Sequence, residues 1–234
     1  MTNRQSNIIF YSIISLIIYA LFIHYTYPDV FENFTKSKEE LSIKEAINNG
    51  EHTKALSMYQ LLLDENSENK NKDDTEVASI YEEMANLHSL LGNKAEEKKY
   101  YLESITLKEQ LKKPDILSIV TIYDKLGSLA EKEKQYDEAQ KYYEKSLSHK
   151  LGNTTETDEG LFVGMQQSRE QYLRLNNEMT IATMKKLGEI HDIKREYDIS
   201  KTYYEKALAA SKLTFGEDDP KTLDLMNLMN RLAL

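Results

Sequence analysis

A tyrosine that recurs at a fixed spacing is the feature that most constrains how this chain can fold. Four similar segments share it at the same place, as Tyr59, Tyr101, Tyr143 and Tyr204. The first three tyrosines are 42 residues apart, whereas the last gap is 61 residues, which is one period of 42 and 19 further residues. Self-similarity at a spacing of about 20–50 residues is the signature of a solenoid built from repeated units.

Each repeat contains two helical patterns. The pattern that precedes the recurring tyrosine has apolar residues at steps of three and four, as in Tyr81, Met84, Leu87 and Leu91. About two residues separate the two patterns, which leaves room only for an antiparallel helical hairpin. The chain has 8 Gly and 3 Pro, fewer turn residues than a β-rich fold needs. The sequence therefore predicts an all-α solenoid of helical hairpins.

The hairpins resemble the tetratricopeptide repeat family. The resemblance rests on Ala139 with Tyr143, on the turn glycines Gly50 and Gly92, and on three small residues of the first helices: Ala85, Gly127 and Gly188. The 42-residue period and the linker at 213–220, which reads LTFGEDDP, are similar to the kinesin-light-chain variety. This resemblance implies a right-handed superhelical solenoid of tetratricopeptide hairpins that binds proteins.

The repeats assign most of the chain to one solenoid, over residues 41–234. Polar residues and three glycines mark the 19 extra residues as an insertion near 150–168, and the last segment reads as an amphipathic capping helix over 220–234. The predicted hairpins cover about 41–64, 76–112, 116–150 and 169–213.

The N-terminal segment is apolar and uncharged. No Lys, Arg, Asp or Glu occurs from Ser6 to Pro28, and Ile8–Ile23 is the apolar core. A bilayer is spanned by about 20 apolar residues in a helix. A cleaved signal peptide and a buried core helix are the alternatives, but the run has no small-residue cleavage site and no polar stripe. We predict three segments: a tail at 1–7, a transmembrane helix at 8–27 and a juxtamembrane linker at 28–40.

The charges around this segment give a weak topology signal. Arg4 precedes it, and Asp29 and Glu32 follow it, which favours the N-terminus inside and the repeats across the membrane. The formal net charge of −9 makes nucleic acid a poor partner. The sequence has no cysteine, no Gly-rich phosphate loop and no hydrolase or metalloprotease motif. We therefore expect no enzyme activity, cofactor, metal site or small-molecule substrate.

A polar stripe on the first helices is the candidate protein-binding groove, because stacked hairpins line a concave face with those helices. Five of its members are acidic and one is a lysine, which favours a basic or polar partner segment. A stripe that is merely solvated, with the partner docked elsewhere, is an equal alternative. The stripe comprises Ser79, Glu82, Asn86, Ser89, Thr121, Asp124, Ser128, Glu131, Lys185, Glu189 and Asp192.

One membrane helix followed by a short repeat array resembles the architecture of mitochondrial inner-membrane scaffold proteins. The resemblance implies a structural subunit or assembly factor of a membrane complex, for instance a respiratory complex, and favours the mitochondrial inner membrane over the secretory pathway. The alternative is a co-chaperone, protease adaptor or import receptor that presents client peptides at an organelle membrane. Both readings expect protein partners, together with membrane lipid at Ile8–Ile23.

Overall fold

The computed structural model describes residues 28–68, 74–151 and 178–232, together with Ser15 and Thr26. These residues form nine α-helices and no strand, so the all-α prediction is confirmed for this part of the chain. The helices are α1 (Pro28–Asn48), α2 (His52–Glu68), α3 (Asp74–Leu90), α4 (Lys94–Gln110), α5 (Ile116–Lys132), α6 (Tyr136–Leu151), α7 (Glu178–Ile193), α8 (Tyr197–Phe215) and α9 (Pro220–Leu232).

The predicted membrane helix at 8–27 lies outside the described residues, apart from Ser15 and Thr26. Among the helices from α1 to α9, none has the length and apolarity needed to cross a bilayer. The predicted insertion at 150–168 lies outside the described residues from position 152 onward.

Among the described residues, 28–68 belong to a compact unit of their own. Its hairpin consists of α1 and α2, which bury Ile43, Ala46 and Ala55. The segment predicted as a juxtamembrane linker, 28–40, lies within α1, which starts at Pro28. Proline suits the first turn of a helix because the backbone N–H that it lacks would have no intrahelical partner there.

The second unit, residues 70–234, stacks three hairpins (α3 with α4, α5 with α6, and α7 with α8) and ends in α9. All three hairpins turn in the same way. The equivalent residues Gly92, Lys134 and Arg195 take left-handed backbone angles, with φ of 73°, 60° and 62°. Only the first is glycine, so the other two turns accept an unfavourable conformation, which costs on the order of 1 kcal/mol per residue. The packing of the hairpins fixes the turn in spite of this cost.

Three of the four recurring tyrosines form the core of the hairpins of the second unit, whereas Tyr59 in the first unit is half-buried. Tyr101, Tyr143 and Tyr204 are 2%, 3% and 0% exposed. Their rings lie against the small residues of the first helices. A Cβ added to Gly127 would stand 2.7 Å from Cε1 of Tyr143, which is closer than real Cβ contacts come. The expectation that small residues let the two helices approach is therefore confirmed.

Buried serines also join the helices of each hairpin. The Ser104 hydroxyl donates to the Ala78 carbonyl at 2.7 Å, and Ser146 donates to Val120 at 3.3 Å. Ser200 stands where the tetratricopeptide pattern favours alanine, yet it is fully buried. Its hydroxyl donates to the carbonyl of residue 188 at 2.9 Å, so the hydroxyl is satisfied and close packing is kept.

Candidate functional site

The polar stripe predicted from the sequence runs over α3, α5 and α7; we call it the first-helix stripe. Ser79 and Ser89 are exposed, and its other members are half-buried. Contacts between neighbouring first helices join the three parts. Nζ of Lys125, on α5, lies 2.8 Å from Oδ1 of Asn86 on α3. Nζ of Lys186, on α7, lies 3.0 Å from Oε1 of Glu131 on α5. The structure therefore brings the predicted residues onto one connected surface.

Glu82 is held by a lysine from the end of α4. Nζ of Lys108 lies 2.7 Å from Oε2 of Glu82 and 2.6 Å from the Ser118 hydroxyl, which donates to the same carboxylate at 2.9 Å. The Lys108 side chain is only 9% exposed. Because Ser118 lies on α5, this contact ties one hairpin to the next.

The same tie recurs one repeat later. Nζ of Lys150, at the end of α6, lies 2.7 Å from Oδ2 of Asp124 and 2.5 Å from the Thr183 hydroxyl on α7. It also donates to the Met179 carbonyl at 3.2 Å. Burial lowers the pKa of Lys150, although Asp124 opposes that shift. In both ties the lysine follows the acid by 26 residues.

A second set of contacts uses the core tyrosines. The Tyr101 hydroxyl donates to Oδ1 of Asn86 at 2.6 Å, and this is the oxygen that Lys125 also contacts. The Tyr143 hydroxyl donates to Glu131 at 3.1 Å, and Lys186 completes the arrangement. Each tyrosine is therefore buried with its hydroxyl satisfied by a member of the stripe.

The third hairpin departs from this pattern. The residue equivalent to Glu131 is Asp192, whose carboxylate lies 3.8 Å from Arg231 of α9. The Tyr204 hydroxyl is buried and forms no hydrogen bond of regular geometry with a described residue, although the Ser200 hydroxyl lies near enough to act on its pKa. Burial raises the pKa of Tyr204 to about 12. Lys185 turns toward α9, where its Nζ lies 2.5 Å from Asp224.

The acids of the first-helix stripe are therefore balanced by neighbouring cations. Glu82, Asp124, Glu131 and Asp192 pair as described above, and Glu189 lies 3.0 Å from Lys186. The sequence pattern of a single helix could not show this, because most of these cations come from other helices. The stripe is mixed in charge, and its role as a binding groove stays a prediction.

A cleft of about 480 Å³ opens beside the stripe, and sequence reasoning missed most of it. It contains three stripe members, Asn86, Ser89 and Ser128, and three lysines, Lys94, Lys125 and Lys132. We call it the lysine cleft. Its other lining residues are Leu90, Gly92, Glu97, Tyr101 and Leu129. Lys94 and Lys132 lie at the turns of two successive hairpins, and Lys125 lies within α5. All three are outside the stripe that the helical period selects.

Comparison with known proteins identifies the repeats. Two family models, both described as tetratricopeptide repeat, match the sequence, one over residues 78–111 and 120–150 and the other over 180–221. These matches coincide with the three hairpins of the second unit. No curated protein matches the sequence significantly.

Two solved structures of one protein show the same fold. The chain is similar to a protein from Podospora anserina assigned as a kinesin light chain with nearly identical tetratricopeptide-like repeats: one structure is 14% identical with a TM-score of 0.55, and that of a substituted variant is 13% identical with 0.56. Each alignment covers 84% of both chains. BtubC (BKLC) from P. vanneervenii is 17% identical with a TM-score of 0.49, and the alignment covers 84% of this chain but 63% of that one.

Proposed function

Because this chain carries tetratricopeptide repeats, we propose that it is a scaffold that holds another protein against its first-helix stripe. Tetratricopeptide domains bind protein partners, and their fold is typically a non-enzymatic interaction scaffold. In the proposal the hairpins stack as a right-handed superhelix whose concave side carries the stripe. The main support for the proposal is that Lys125 and Lys186 each contact a residue on the neighbouring first helix, Asn86 and Glu131. These contacts order the surface before a partner binds, which lowers the entropic cost of binding.

The proposal places this scaffold at a membrane. Its support is the uncharged sequence from Ser6 to Pro28, which is long enough to span a bilayer. The chain would then be a structural subunit or assembly factor of a membrane complex. We favour the mitochondrial inner membrane, with the repeats across the membrane from the N-terminus. A protease-protection assay on intact organelles tests this orientation.

A second candidate is a co-chaperone, protease adaptor or import receptor that presents client peptides. The lysine cleft favours this function, because an open cleft with several cations can hold a short acidic peptide. The two candidates differ in stoichiometry. A complex subunit co-purifies with its partner at a fixed ratio, whereas a client receptor releases its peptides.

The test is co-purification of the full chain from native membranes with two variant pairs. Ser79→Arg with Ser89→Arg places two bulky cations on the exposed part of the stripe. Thr106→Arg with Thr202→Arg makes the same changes at exposed positions of α4 and α8. We expect the stripe pair to lose the partner and the control pair to keep it. If both variant pairs keep the partner equally, the partner does not bind at the stripe.

A further inference from the structure

The turns of the three hairpins in the second unit share one backbone arrangement but carry different side chains. In each turn a backbone N–H donates to the carbonyl five residues earlier, at 2.8–2.9 Å. The donors and acceptors are Asn93 with His88 in the first turn, Gln135 with Ala130 in the middle turn, and Glu196 with His191 in the third turn. A difference in how the turns respond to pH would therefore come from their side chains.

The first and the third turn each place a histidine ring on a tyrosine ring. His88 stacks on Tyr100 with the ring centroids 5.3 Å apart, and His191 stacks on Tyr203 at 5.5 Å. The planes of the two rings differ by 9° in the first pair and by 11° in the second. Because the two imidazoles have the same setting, the first turn serves as an internal control for the third.

The side chains that these two imidazoles contact differ in charge. Nδ1 of His88 lies 3.4 Å from the side-chain amide of Asn93, whereas Nδ1 of His191 lies 2.5 Å from Oε2 of Glu196. The hydrogen bond with His191 holds the pKa of Glu196 below its usual range, so this carboxylate stays ionised at mildly acidic pH. A hydrogen bond between ionised groups is about twice as strong as one between neutral groups. Glu196 therefore holds a protonated imidazole more tightly than a neutral one.

Other charged groups surround this contact. Nζ of Lys194 lies 3.6 Å from Oε1 of Glu196 and 2.9 Å from Oδ1 of Asp137 on α6. Burial opposes a charge on His191, which is 4% exposed, and the directly bonded carboxylate favours it. The remaining ionisable groups on this turn and on the helices packed against it are Asp192 with its partner Arg231 of α9, Arg195, Tyr203 and Lys206 of α8, Tyr136, Tyr142 and Tyr143 of α6, and Glu131 of α5 and Glu189 with their shared partner Lys186.

We propose that His191 and Glu196 form a pH-dependent latch on the third turn, tight when the imidazole is protonated and looser when it is neutral. Lys194 connects the latch to the second hairpin, because it contacts Glu196, Asp137 and also the Gln140 side chain at 2.9 Å. Acidification should therefore fix the third turn more firmly and, through Lys194, its contact with α6. The first turn has an amide in place of the carboxylate and lacks this response.

The direction of the effect follows from the ionisation of both partners. A histidine that gains a carboxylate partner on folding contributes its full stabilisation below its unfolded pKa, about 6.5, and this is lost as the pH rises through the folded value. A carboxylate whose pKa is lowered on folding contributes above its unfolded pKa, about 4.3, and this is lost as the pH falls through the folded value. The latch is therefore tightest between about pH 4.3 and 6.5.

Hydrogen–deuterium exchange of the full chain, read by mass spectrometry, measures the three turns separately at pH 5.5 and at pH 7.5. Each exchange rate is compared with that of an unstructured peptide of the same sequence at the same pH. We expect the peptide with the Glu196 N–H to be protected on the order of fivefold more at pH 5.5 than at pH 7.5. The peptides with the Asn93 and Gln135 N–H groups should show no such difference, because amide side chains form no ion pair.

Glu196→Gln keeps the size of the side chain but removes its charge, so it should abolish the pH dependence of the third turn alone. The matched control is Asp198→Asn, which removes one charge from an exposed position in the first turn of the same helix. This control should keep the pH dependence, and protection of the first turn verifies that each variant is folded. Three outcomes would each overturn the latch: an equal response at all three turns, a third turn better protected at pH 7.5, or a pH dependence that survives in Glu196→Gln. If Glu196→Gln does not fold, the comparison of the three turns in the unchanged chain still decides.

Discussion

The ring of Tyr204 lies directly against Gly188, on the facing helix of the same hairpin. A Cβ built on Gly188 would stand 2.5 Å from Cε1 of Tyr204, and the ring is fully buried. Tyr143 has the same relation to Gly127. Glycine in a helix interior usually costs stability, so its presence in both hairpins reflects the close approach of the rings.

Gly188→Ala should therefore destabilise the protein. At a helical position without tertiary contacts, this change stabilises by about 1 kcal/mol, because alanine is the better helix former. Here overpacking should reverse the sign and lower the free energy of unfolding by about 1–3 kcal/mol. Urea unfolding followed by circular dichroism measures the difference. A stabilised variant would show that the helices are further apart than described.

Removing the hydroxyl of a core tyrosine should change the free energy of unfolding by different amounts at the equivalent positions Tyr143 and Tyr204. Tyr143→Phe removes a hydrogen bond to Glu131 and should cost about 1–2 kcal/mol. Tyr204→Phe removes a buried hydroxyl whose contact with Ser200 is not a hydrogen bond of regular geometry, so it should cost less than Tyr143→Phe or stabilise the fold. Urea unfolding of both variants provides the comparison. An equal cost at both positions would contradict this difference between the two hydroxyls.

The ties between hairpins should contribute more than exposed ion pairs do. Asp124→Asn weakens the contact to Lys150, whose side chain is 6% exposed, and should cost about 1–3 kcal/mol. The control is Asp137→Asn, where the carboxylate is 84% exposed and pairs with Lys194; its loss should barely change the stability. Thermal unfolding at matched pH measures both. Equal shifts in Tm would mean that the tie is no stronger than a surface pair.

Alkaline pH should destabilise the fold through its buried tyrosines. Burial raises the pKa of Tyr142 and of Tyr204 to about 12. A group whose pKa is higher in the folded than in the unfolded state contributes its full stabilisation below the unfolded pKa, which is about 10 for tyrosine. That stabilisation is lost as the pH rises through the pKa of the folded state. Unfolding free energy should therefore fall between pH 10 and about 12. Tyr204→Phe should flatten this fall, and an unchanged slope would contradict the assignment.

The sequence reveals the hairpins because their signals are local. Tyr143 and Gly127 belong to neighbouring helices of one repeat, and their spacing recurs, so their packing can be predicted from the period alone. Helical periodicity likewise places Glu82 on the polar stripe of α3 and Asp124 on that of α5. These predictions need no knowledge of how one hairpin lies on the next.

The charge of the stripe could not be predicted in this way, because its counter-ions come from helices outside the pattern. Lys108 and Lys150 reach their partners only when the second helix packs beside the first and the next hairpin stacks on both, because Ser118 and Thr183 belong to that next hairpin. One signal was available in the sequence: each lysine follows an acid by 26 residues, in two successive repeats. The lysine cleft carries only part of a signal: helical spacing places Lys125 and Lys132 on one face of α5, whereas Lys94 joins them only through the packing of the hairpins.

Site-specific photo-cross-linking tests the scaffold proposal most directly. A photoreactive residue replaces Ser89 or Ser128 of the stripe, or, as controls, Lys141 or Lys201 on the second helices, in the full chain expressed in its native cells. The proposal predicts that the two stripe positions cross-link to the same partner protein and that the two controls do not. Cross-links from the controls alone, or equally from all four positions, would contradict a partner held against the first-helix stripe.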